Sequence, residues 1–323
     1  MLKTLSLRCL QALLTLWGVL SLTFFMMHLA PGDPASLFVS PEMPADVLQN
    51  LRQQMGLNQP LMMQYLHWLR EFSSGNFGFS FSHSRPVLQV LRQALPNTLQ
   101  LTLTVFILQF FAGILLGIVI DLWSERKTGA VLNQFLLFIY SIPGFWLALL
   151  AIMVFSYALN WLPSSQMSGL ETASGWGRVW DRLRHIILPA LVLILPFAAF
   201  TARFVAGQLK EVMRQDYIRT AFSMGLKKNQ VIGKYALKNA LLPVITLTGL
   251  QFPFLLGGAV ITEYIFGWPG MGRLAVEAIY AHDFPLILGS TFVAAVAVIL
   301  GNLFSDILYS IVDPRINSPA AGF

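Results

Sequence analysis

Few residues in this sequence are arranged in a way that could do chemistry. The closest to a known pattern is Gly225 followed by the Gly233-Lys234 pair. A phosphate-binding loop needs glycines at fixed spacing and a Ser or Thr directly after the lysine, because backbone N–H groups and that hydroxyl hold the phosphates and Mg²⁺. The spacing differs here, and Tyr235 follows the lysine. The sequence therefore predicts no ATP site in this chain.

Metal-binding and hydrolytic patterns are equally weak. The sequence has no HExxH and no GxSxG, and a single cysteine, Cys9, cannot form an internal disulfide or a thiolate cluster. A metal contact at His28 is a weaker alternative to an interfacial or hydrogen-bonded histidine. The five histidines are scattered: His28, His67, His83, His185 and His282. We therefore predict no catalytic residue, no metal and no cofactor held by this chain.

One polar segment, Asp216–Pro243, interrupts an otherwise apolar sequence. The loop that contains its first part, Lys210–Lys238, holds seven of the 21 Lys and Arg residues and is called the docking loop below. Apolar residues recur at helical spacing, since Ile218, Ala221 and Phe222 fall at i, i+3 and i+4. This spacing predicts a short amphipathic helix within the docking loop.

The ends of this predicted helix carry their own signals. Asp216 can cap its start, and Gly225 can end it in a left-handed conformation. Lys227-Lys228-Asn229 then turns the chain into a second helix that runs towards Leu241. A short helix, a glycine turn and a basic return helix are typical of a docking knob for another protein. A solvated basic loop is the alternative that the pattern leaves open.

The amino-acid composition indicates whether the chain lies in water or in a membrane. Hydrophobic residues make up 56% and charged residues only 11%, whereas soluble domains are about 25% charged. The chain is therefore predicted to be an integral membrane protein. Its net charge of +6 does not indicate nucleic acid, because the basic residues cluster in short loops between apolar spans and no base-stacking aromatics accompany them.

Six apolar runs are long enough to cross a bilayer at roughly 1.5 Å per residue. We predict spans at 10–30, 97–122, 130–159, 186–208, 241–262 and 286–308. The first run is longer than the core of a cleaved signal peptide, so a retained anchor is favoured over a signal that ends at Ala30. The external segment after it is predicted to hold surface helices at 45–55 and 61–72 and a loop at 75–84.

Three features inside the predicted spans bear on packing. Gly113 and Gly117 form a GxxxG pattern, which allows a second helix to approach closely unless the glycines are incidental. Ser141–Gly144 contains a proline and predicts a kink beside another helix or a cavity. Arg203 either snorkels to the membrane surface or lines an internal site.

Loop charges predict the orientation. Six spans place both termini on one side, and the docking loop has seven Lys and Arg where the segment Glu263–Pro285 has only Arg273. Three arginines in Asn160–His185 weaken this asymmetry without reversing it. By the positive-inside rule, both termini and the docking loop are predicted to be cytoplasmic.

The docking loop resembles the EAA loop of bacterial ABC-importer permeases of the peptide/nickel type. The matching letters are DYIRTA at 216–221, Gly225 and ALKNALLP at 236–243. Phe222-Ser223 departs from the Arg-Ala pair that relatives often carry, which predicts a more apolar partner contact here.

Other segments extend the resemblance over nearly the whole chain, from about Arg8 to Arg315. The further matches are PGDP at 31–34, IPGFWLA at 142–148, EYIFGWPGMGR at 263–273 and DPRI at 313–316. GNFG at 75–78 stands where relatives often have GDFG, so the role of the missing carboxylate is in doubt.

The resemblance implies an all-α integral membrane protein: six transmembrane helices, an external domain after helix 1 and a cytoplasmic coupling-helix loop between helices 4 and 5. It implies the permease subunit of an ATP-driven, binding-protein-dependent importer of small peptides or nickel chelates in the bacterial inner membrane. Implied partners are a second homologous permease, two ATPase subunits that bind ATP and Mg, and an external substrate-binding protein. The residues assigned to ATPase coupling are Asp216, Tyr217, Arg219, Thr220, Ala221 and Gly225.

The predicted division of the chain is 1–30 for the N-terminus and first helix, 31–96 for the external segment, 97–315 for the permease core and 316–323 for the tail. Alternatives are an exporter permease, an ion-driven carrier and a membrane-embedded enzyme. Asp121 and Asp306 lie near span ends, which argues against a carrier, and no convergent polar cluster indicates an enzyme.

Overall fold

The computed structural model describes residues 2–29, 58–169 and 175–312. The helices are α1 Leu2–Leu29, α2 Leu61–Ser73, α3 Val87–Leu122, α4 Lys127–Ser141, α5 Gly144–Ala151, α6 Trp176–Val212, α7 Asp216–Ser223, α8 Lys228–Val231, α9 Leu237–Ile265, α10 Met271–Tyr280 and α11 Phe284–Val312. Two π-helical segments, Ile152–Ala158 and Ile232–Ala236, continue α5 and α8, and a short hairpin is formed by β1 Phe79–Ser80 and β2 Arg85–Pro86. The predicted helix at 45–55, the PGDP turn and the tail from residue 313 lie outside the described residues.

Several described helices suit a bilayer. Leu10–Leu29, Val87–Leu122, Trp176–Val212 and Phe284–Leu303 are long and apolar enough to span it, and the bent pair Lys127–Ser141 and Gly144–Ala158 could form a fifth span. This confirms a helical, multi-pass membrane protein. The count of six spans stays a prediction.

The bounds of the long helices differ from the predicted ones. The second span was predicted from Asn97, but α3 begins at Val87 and contains Pro96. The reason is packing, because residues of its first turns are buried. Helix α6 begins at Trp176, ten residues before the predicted Ile186. Residues 176–184 are not buried, so burial does not explain this extension as it does for α3.

The predicted kink at Ser141–Gly144 is a sharper break. Ile142 has φ −75° and ψ 130°, an extended conformation, because a residue that precedes proline is sterically kept out of the α region. The helices on either side, α4 and Gly144–Ala158, make an angle of 102°. The predicted kink is therefore confirmed as a break between two helices, and a single span over 130–159 stays a prediction.

The chain divides into two compact units. The first comprises Met1–Pro96 and Arg273–Val296. In it Asp283, which is buried, accepts hydrogen bonds through Oδ2 from Ser80 Oγ at 2.7 Å and from Ser82 N and Oγ at 3.0 and 2.7 Å. These bonds fix the hairpin, so the segment predicted as a plain loop at 75–84 contains a strand and a tight turn.

The second unit comprises Asn97–Gly272 and Ala297–Phe323. In it α3 packs against α6 through the predicted GxxxG pattern. A Cβ atom added to Gly113 would come within 2.5 Å of Thr201 Cβ, and one added to Gly117 within 2.7 Å of the Ala202 carbonyl oxygen. The two glycines are therefore needed for close approach of the helices.

A buried carboxyl group organises the turn after α9. Glu263 is fully buried, and it accepts hydrogen bonds from Thr98 Oγ1 and from Gly272 N, both at 2.6 Å. Thr98 Oγ1 in turn accepts a bond from Met271 N at 2.7 Å. A Cβ at Gly270 would overlap the Glu263 carboxyl group. The EYIFGWPGMGR segment therefore folds around the side chain of its own Glu263. The same side chain links the segment to α3 through Thr98.

The glycine contact between α3 and α6 generates the first prediction. Gly117→Ala should lower the melting temperature of the purified protein, because the added methyl group forces the helices apart at a cost of about 1–3 kcal/mol. Gly207→Ala on α6 is the matched control, since nothing lies within 4 Å of its added Cβ. An equal effect of the two changes would contradict the close packing.

The Glu263 network generates the second prediction. Thr98→Val should destabilise the protein by about 1–3 kcal/mol, since a buried carboxyl oxygen and the Met271 N–H both lose a partner. Thr104→Val makes the same change on the same helix, where the hydroxyl bonds only to its own helix at Gln100 O. Thermal unfolding of the two variants in the same detergent would test this, and a Thr98 variant as stable as the control would refute the network.

Candidate functional site

The docking loop contains the predicted short amphipathic helix. It is α7, Asp216–Ser223. Ile218 is fully buried, and of the six residues assigned to coupling only Ala221, 4% exposed, is buried with it. The other five are exposed: Asp216, Tyr217, Arg219 and Thr220 on the helix and Gly225 after it. The spacing of the apolar residues therefore predicted the helix correctly, but only Ile218 and Ala221 of the three spaced residues are buried, whereas Phe222 is exposed.

The buried face of α7 belongs to an apolar cluster, called the loop cluster below. Its buried members come from α6, α7, α8 with its π-helical continuation, and α9: Val205, Leu209, Ile218, Ala221, Val231, Ile232, Ala236, Ala240 and Val244. Each buried Val, Leu or Ile side chain among them contributes about 1.5–3 kcal/mol relative to exposure. The loop cluster therefore holds α7 firmly against the ends of two long helices.

The start of α7 differs from the prediction. Asp216 does not cap the helix: Gln215 is the N-cap residue, with an extended ψ of 149°, and no side chain makes a capping hydrogen bond. Asp216 is instead the first helical residue, where its negative charge interacts favourably with the helix dipole. Its carbonyl oxygen also accepts a hydrogen bond from Thr220 Oγ1 at 3.1 Å.

The end of α7 is confirmed. Gly225 has φ +80°, in the left-handed region that favours glycine. Its N–H donates to Phe222 O at 2.9 Å, and Leu226 N donates to Ala221 O at 3.4 Å. These two bonds form a Schellman motif, which satisfies carbonyl groups that the helix end would otherwise leave unpaired.

The outer face of α7 is both charged and apolar. The Arg219 and Asp216 side chains are 75% and 95% exposed and approach to 3.4 Å, a contact that contributes little because water screens it. Tyr217, Phe222 and Met224 are also exposed. Phe222 replaces a residue that is often Arg in the family described above, and its exposure fits the predicted apolar character of this surface.

Two polar contacts join the docking loop to its neighbours. Tyr217 Oη accepts a hydrogen bond from Asn239 Nδ2 on α9 at 2.8 Å. Lys228, the first residue of α8, interacts electrostatically with Asp121 at the end of α3. Neither contact could be read from spacing, because its partners lie 22 and 107 positions apart in the chain.

The return helix does not stop before the next span. From Lys228 the chain runs through α8, the π-helical segment Ile232–Ala236 and α9 to Ile265. The helix predicted to begin at Leu241 is therefore the continuation of the return helix, and its role as a fifth span stays a prediction. Gln230 supports its start, since its Oε1 accepts a hydrogen bond from Lys227 N at 3.1 Å.

The described residues include no group of three or more His, Cys, Asp or Glu side chains that could hold a metal ion. His28 bonds through Nδ1 to Phe24 O at 2.8 Å and lies 4.2 Å from the Phe24 ring centroid. The hydrogen-bonded alternative that the sequence left open for His28 accounts for this geometry.

Two protein-family models match this sequence. Residues 113–318 match the family described as "Binding-protein-dependent transport system inner membrane component". Residues 1–102 match the N-terminal family of such membrane components.

Curated relatives match along almost the full length. The oligopeptide transport system permease protein AppB of Bacillus subtilis (strain 168) is 40% identical over 312 residues, which are 96% of this chain and 97% of AppB. The glutathione transport system permease protein GsiC of Escherichia coli (strain K12) is 38% identical over 309 residues, with the same coverage.

Solved structures share the fold. Two inward-facing crystal forms of the MetNI methionine ABC transporter align with TM-scores of 0.54 and 0.55, at 16% and 17% identity. Each alignment covers 70% of this chain and 97% of the solved one. At this identity the likeness concerns the fold alone.

The turn after α7 generates the third prediction. Gly225→Val should speed amide hydrogen exchange across residues 216–226, because a β-branched residue is strained at φ +80°. Gly225→Asn is the control, since asparagine tolerates this conformation and nothing lies within 4 Å of the added Cβ. Equal protection in both variants would mean that the left-handed turn is not required.

Proposed function

This chain belongs to the family of binding-protein-dependent transport system inner membrane components, and from that premise we propose that it carries short peptides inward through the bilayer. As a member of this family it is a permease subunit of an ABC importer and not an enzyme. The match over 96% of the chain to a permease named for oligopeptide transport carries the proposal.

The substrate class follows from the relatives. One is named for oligopeptides and another for glutathione, a small peptide. These names favour peptides over the nickel chelates that the sequence also left open. The first selection of substrate falls to an external binding protein in such systems, so the length and sequence of the peptide are set partly outside this chain.

The energy for transport is supplied by partner subunits. We place the contact with an ATPase on α7: Asp216, Tyr217, Arg219 and Thr220 meet the partner directly. Ala221 is buried, so its role is to anchor α7, and Gly225 shapes the end of the knob. The complete assembly consists of this chain, a second homologous permease, two ATPase subunits that bind ATP and Mg, and the binding protein.

The orientation places the docking loop and both termini in the cytoplasm. Support comes from the seven Lys and Arg residues of the loop against the single Arg273 in Glu263–Pro285. The protein crosses the inner membrane six times, residues 31–96 form the external segment after the first helix, and residues 97–315 form the permease core. The continuous helix from Lys228 to Ile265 joins the ATPase contact directly to a span.

The transport proposal is tested by uptake. Cells that carry the complex should take up a labelled dipeptide, and deletion of this chain should abolish that uptake while uptake of labelled nickel is unchanged. Loss of nickel uptake with peptide uptake intact would replace the proposed substrate. An unchanged uptake of both would overturn the proposed function.

The position of the ATPase contact generates a fourth prediction. Arg219→Glu should reduce the amount of ATPase that co-purifies with this chain by at least severalfold, because the change reverses the charge of a 75% exposed side chain whose contact with Asp216 is screened by water. Arg214→Glu, an exposed arginine just before α7, is the matched control. Exposed substitutions of this kind change stability by less than about 0.5 kcal/mol, so equal recovery of ATPase from both variants would remove Arg219 from the contact.

A further inference from the structure

A cavity of about 550 Å³ lies in the second unit, away from the docking loop residues described above. It is bordered by the π-helical segment Ile152–Ala158, the loop that follows it and the first turns of α6. The lining residues are Ile152, Ser156, Tyr157, Asn160, Leu162, Pro163, Ser164, Asp181, Arg184 and His185. Its volume falls within the range of about 300–1,000 Å³ that is usual for small-molecule sites.

The backbone beside the cavity is irregular at several points. The segment Ile152–Ala158 is π-helical. This form is rare in proteins, and where it occurs it is often at a functional site. Asn160 has φ +53°, and the Phe155 carbonyl oxygen accepts bonds from both Trp161 N and Leu162 N. Asparagine tolerates the left-handed conformation, so the π-helical segment is the irregular feature that points to a functional site.

Charges of both signs face the same cavity from one side of α6. Asp181 and Arg184 are three residues apart, yet they form no ion pair with each other in the described part of the chain. Asp181 is held through Oδ2 by Gly169 N at 2.8 Å. Arg184 is held through Nη2 by the Trp161 carbonyl oxygen at 3.0 Å. A carboxylate and a guanidinium are thus positioned separately.

Two further polar groups complete the lining. His185 is buried, and its Nδ1 lies 2.8 Å from Asp181 O and 3.3 Å from Asp181 Oδ1, which leaves Nε2 for another partner. Ser156 Oγ is buried and has no hydrogen-bond partner among the described residues. A buried hydroxyl without a partner is costly.

We propose that this cavity binds a short peptide through its two charged ends. Arg184 receives the carboxylate, for which the guanidinium is suited because it can donate two parallel N–H bonds. Asp181 receives the α-ammonium group. The inference rests on the proposed function, which it deepens by assigning a substrate site to this chain.

A zwitterion of this kind has two sources, since an ethanolamine phospholipid headgroup also joins an ammonium group to an anion. The substrate class of the relatives favours the peptide. The two sources differ in what competes: a free dipeptide displaces a bound peptide, whereas a lipid headgroup is displaced only when the lipid composition changes. The experiment therefore needs both arms.

The test is photocrosslinking in the complete complex. A dipeptide with a photoreactive side chain is irradiated with the purified complex in nanodiscs of phosphatidylcholine, and the labelled segments of this chain are identified by mass spectrometry. Labelling should fall on residues 152–164 and 176–185. Excess free dipeptide should abolish it, and the same dipeptide with an amidated carboxyl group should compete at least about tenfold less well.

Variants separate the site from the rest of the chain. Arg184→Gln should lower labelling about tenfold, while Arg182→Gln, an exposed arginine of the same helix that does not line the cavity, should leave it unchanged. Asp181→Asn should weaken labelling by the free dipeptide but not by its N-acetyl form.

The outcomes distinguish this site from the proposed function. If the wild-type complex takes up dipeptide but the cavity is not labelled, or if Arg184→Gln and Arg182→Gln behave alike, the site is refuted and the transport function stands. If labelling disappears when phosphatidylethanolamine is added, the cavity is a lipid site. If the complex takes up no peptide at all, the proposed function itself fails.

Discussion

The loop cluster is the interaction on which the rest of this structure depends. A helix of eight residues is too short to be stable alone in water, since nucleation costs more than so few hydrogen bonds return. Burial of Ile218 and Ala221 against α6 and α9 supplies the stability that the helix propensity of eight residues cannot. Because the same burial packs α7 tightly against α6 and α9, we expect a displacement of its exposed face to move these two helices as well.

The continuity of the chain after the turn strengthens this link. Helical structure runs from Lys228 to Ile265, and Tyr217 is hydrogen-bonded to Asn239 within that run. A rigid helix transmits a shift along its axis, whereas a loop between knob and span would absorb it. This continuity supports the proposed transfer of motion from the ATPase contact to the spans.

Local rules predicted what local physics determines. The apolar spacing of α7, its glycine end and the close approach at Gly113 and Gly117 were all readable, because each depends on residues a few positions apart. The continuation of α3 through Pro96, the angle of 102° at the α4–α5 break and the burial of Glu263 were not. Each of these is decided by tertiary partners, and a glutamate at the end of an apolar run shows no sign in the sequence that a threonine 165 positions earlier will bond to it.

The membrane-spanning helices of the second unit are held together by other interactions than the apolar burial of the loop cluster. In a bilayer, association gains little from the hydrophobic effect and relies on close packing and interhelical hydrogen bonds. Gln109 lies one turn before Gly113 on α3. Its Oε1 accepts a hydrogen bond from Thr201 Oγ1 on α6 at 3.1 Å, and Thr201 Oγ1 lies 3.5 Å from Gln251 Nε2 on α9. Gln109 Nε2 and Gln251 Oε1 have no partner in the described part of the chain, so this polar contact between α3, α6 and α9 is only partly satisfied and its net free energy is small. The loop cluster is thus held by apolar burial, whereas this contact among α3, α6 and α9 is polar and only partly satisfied.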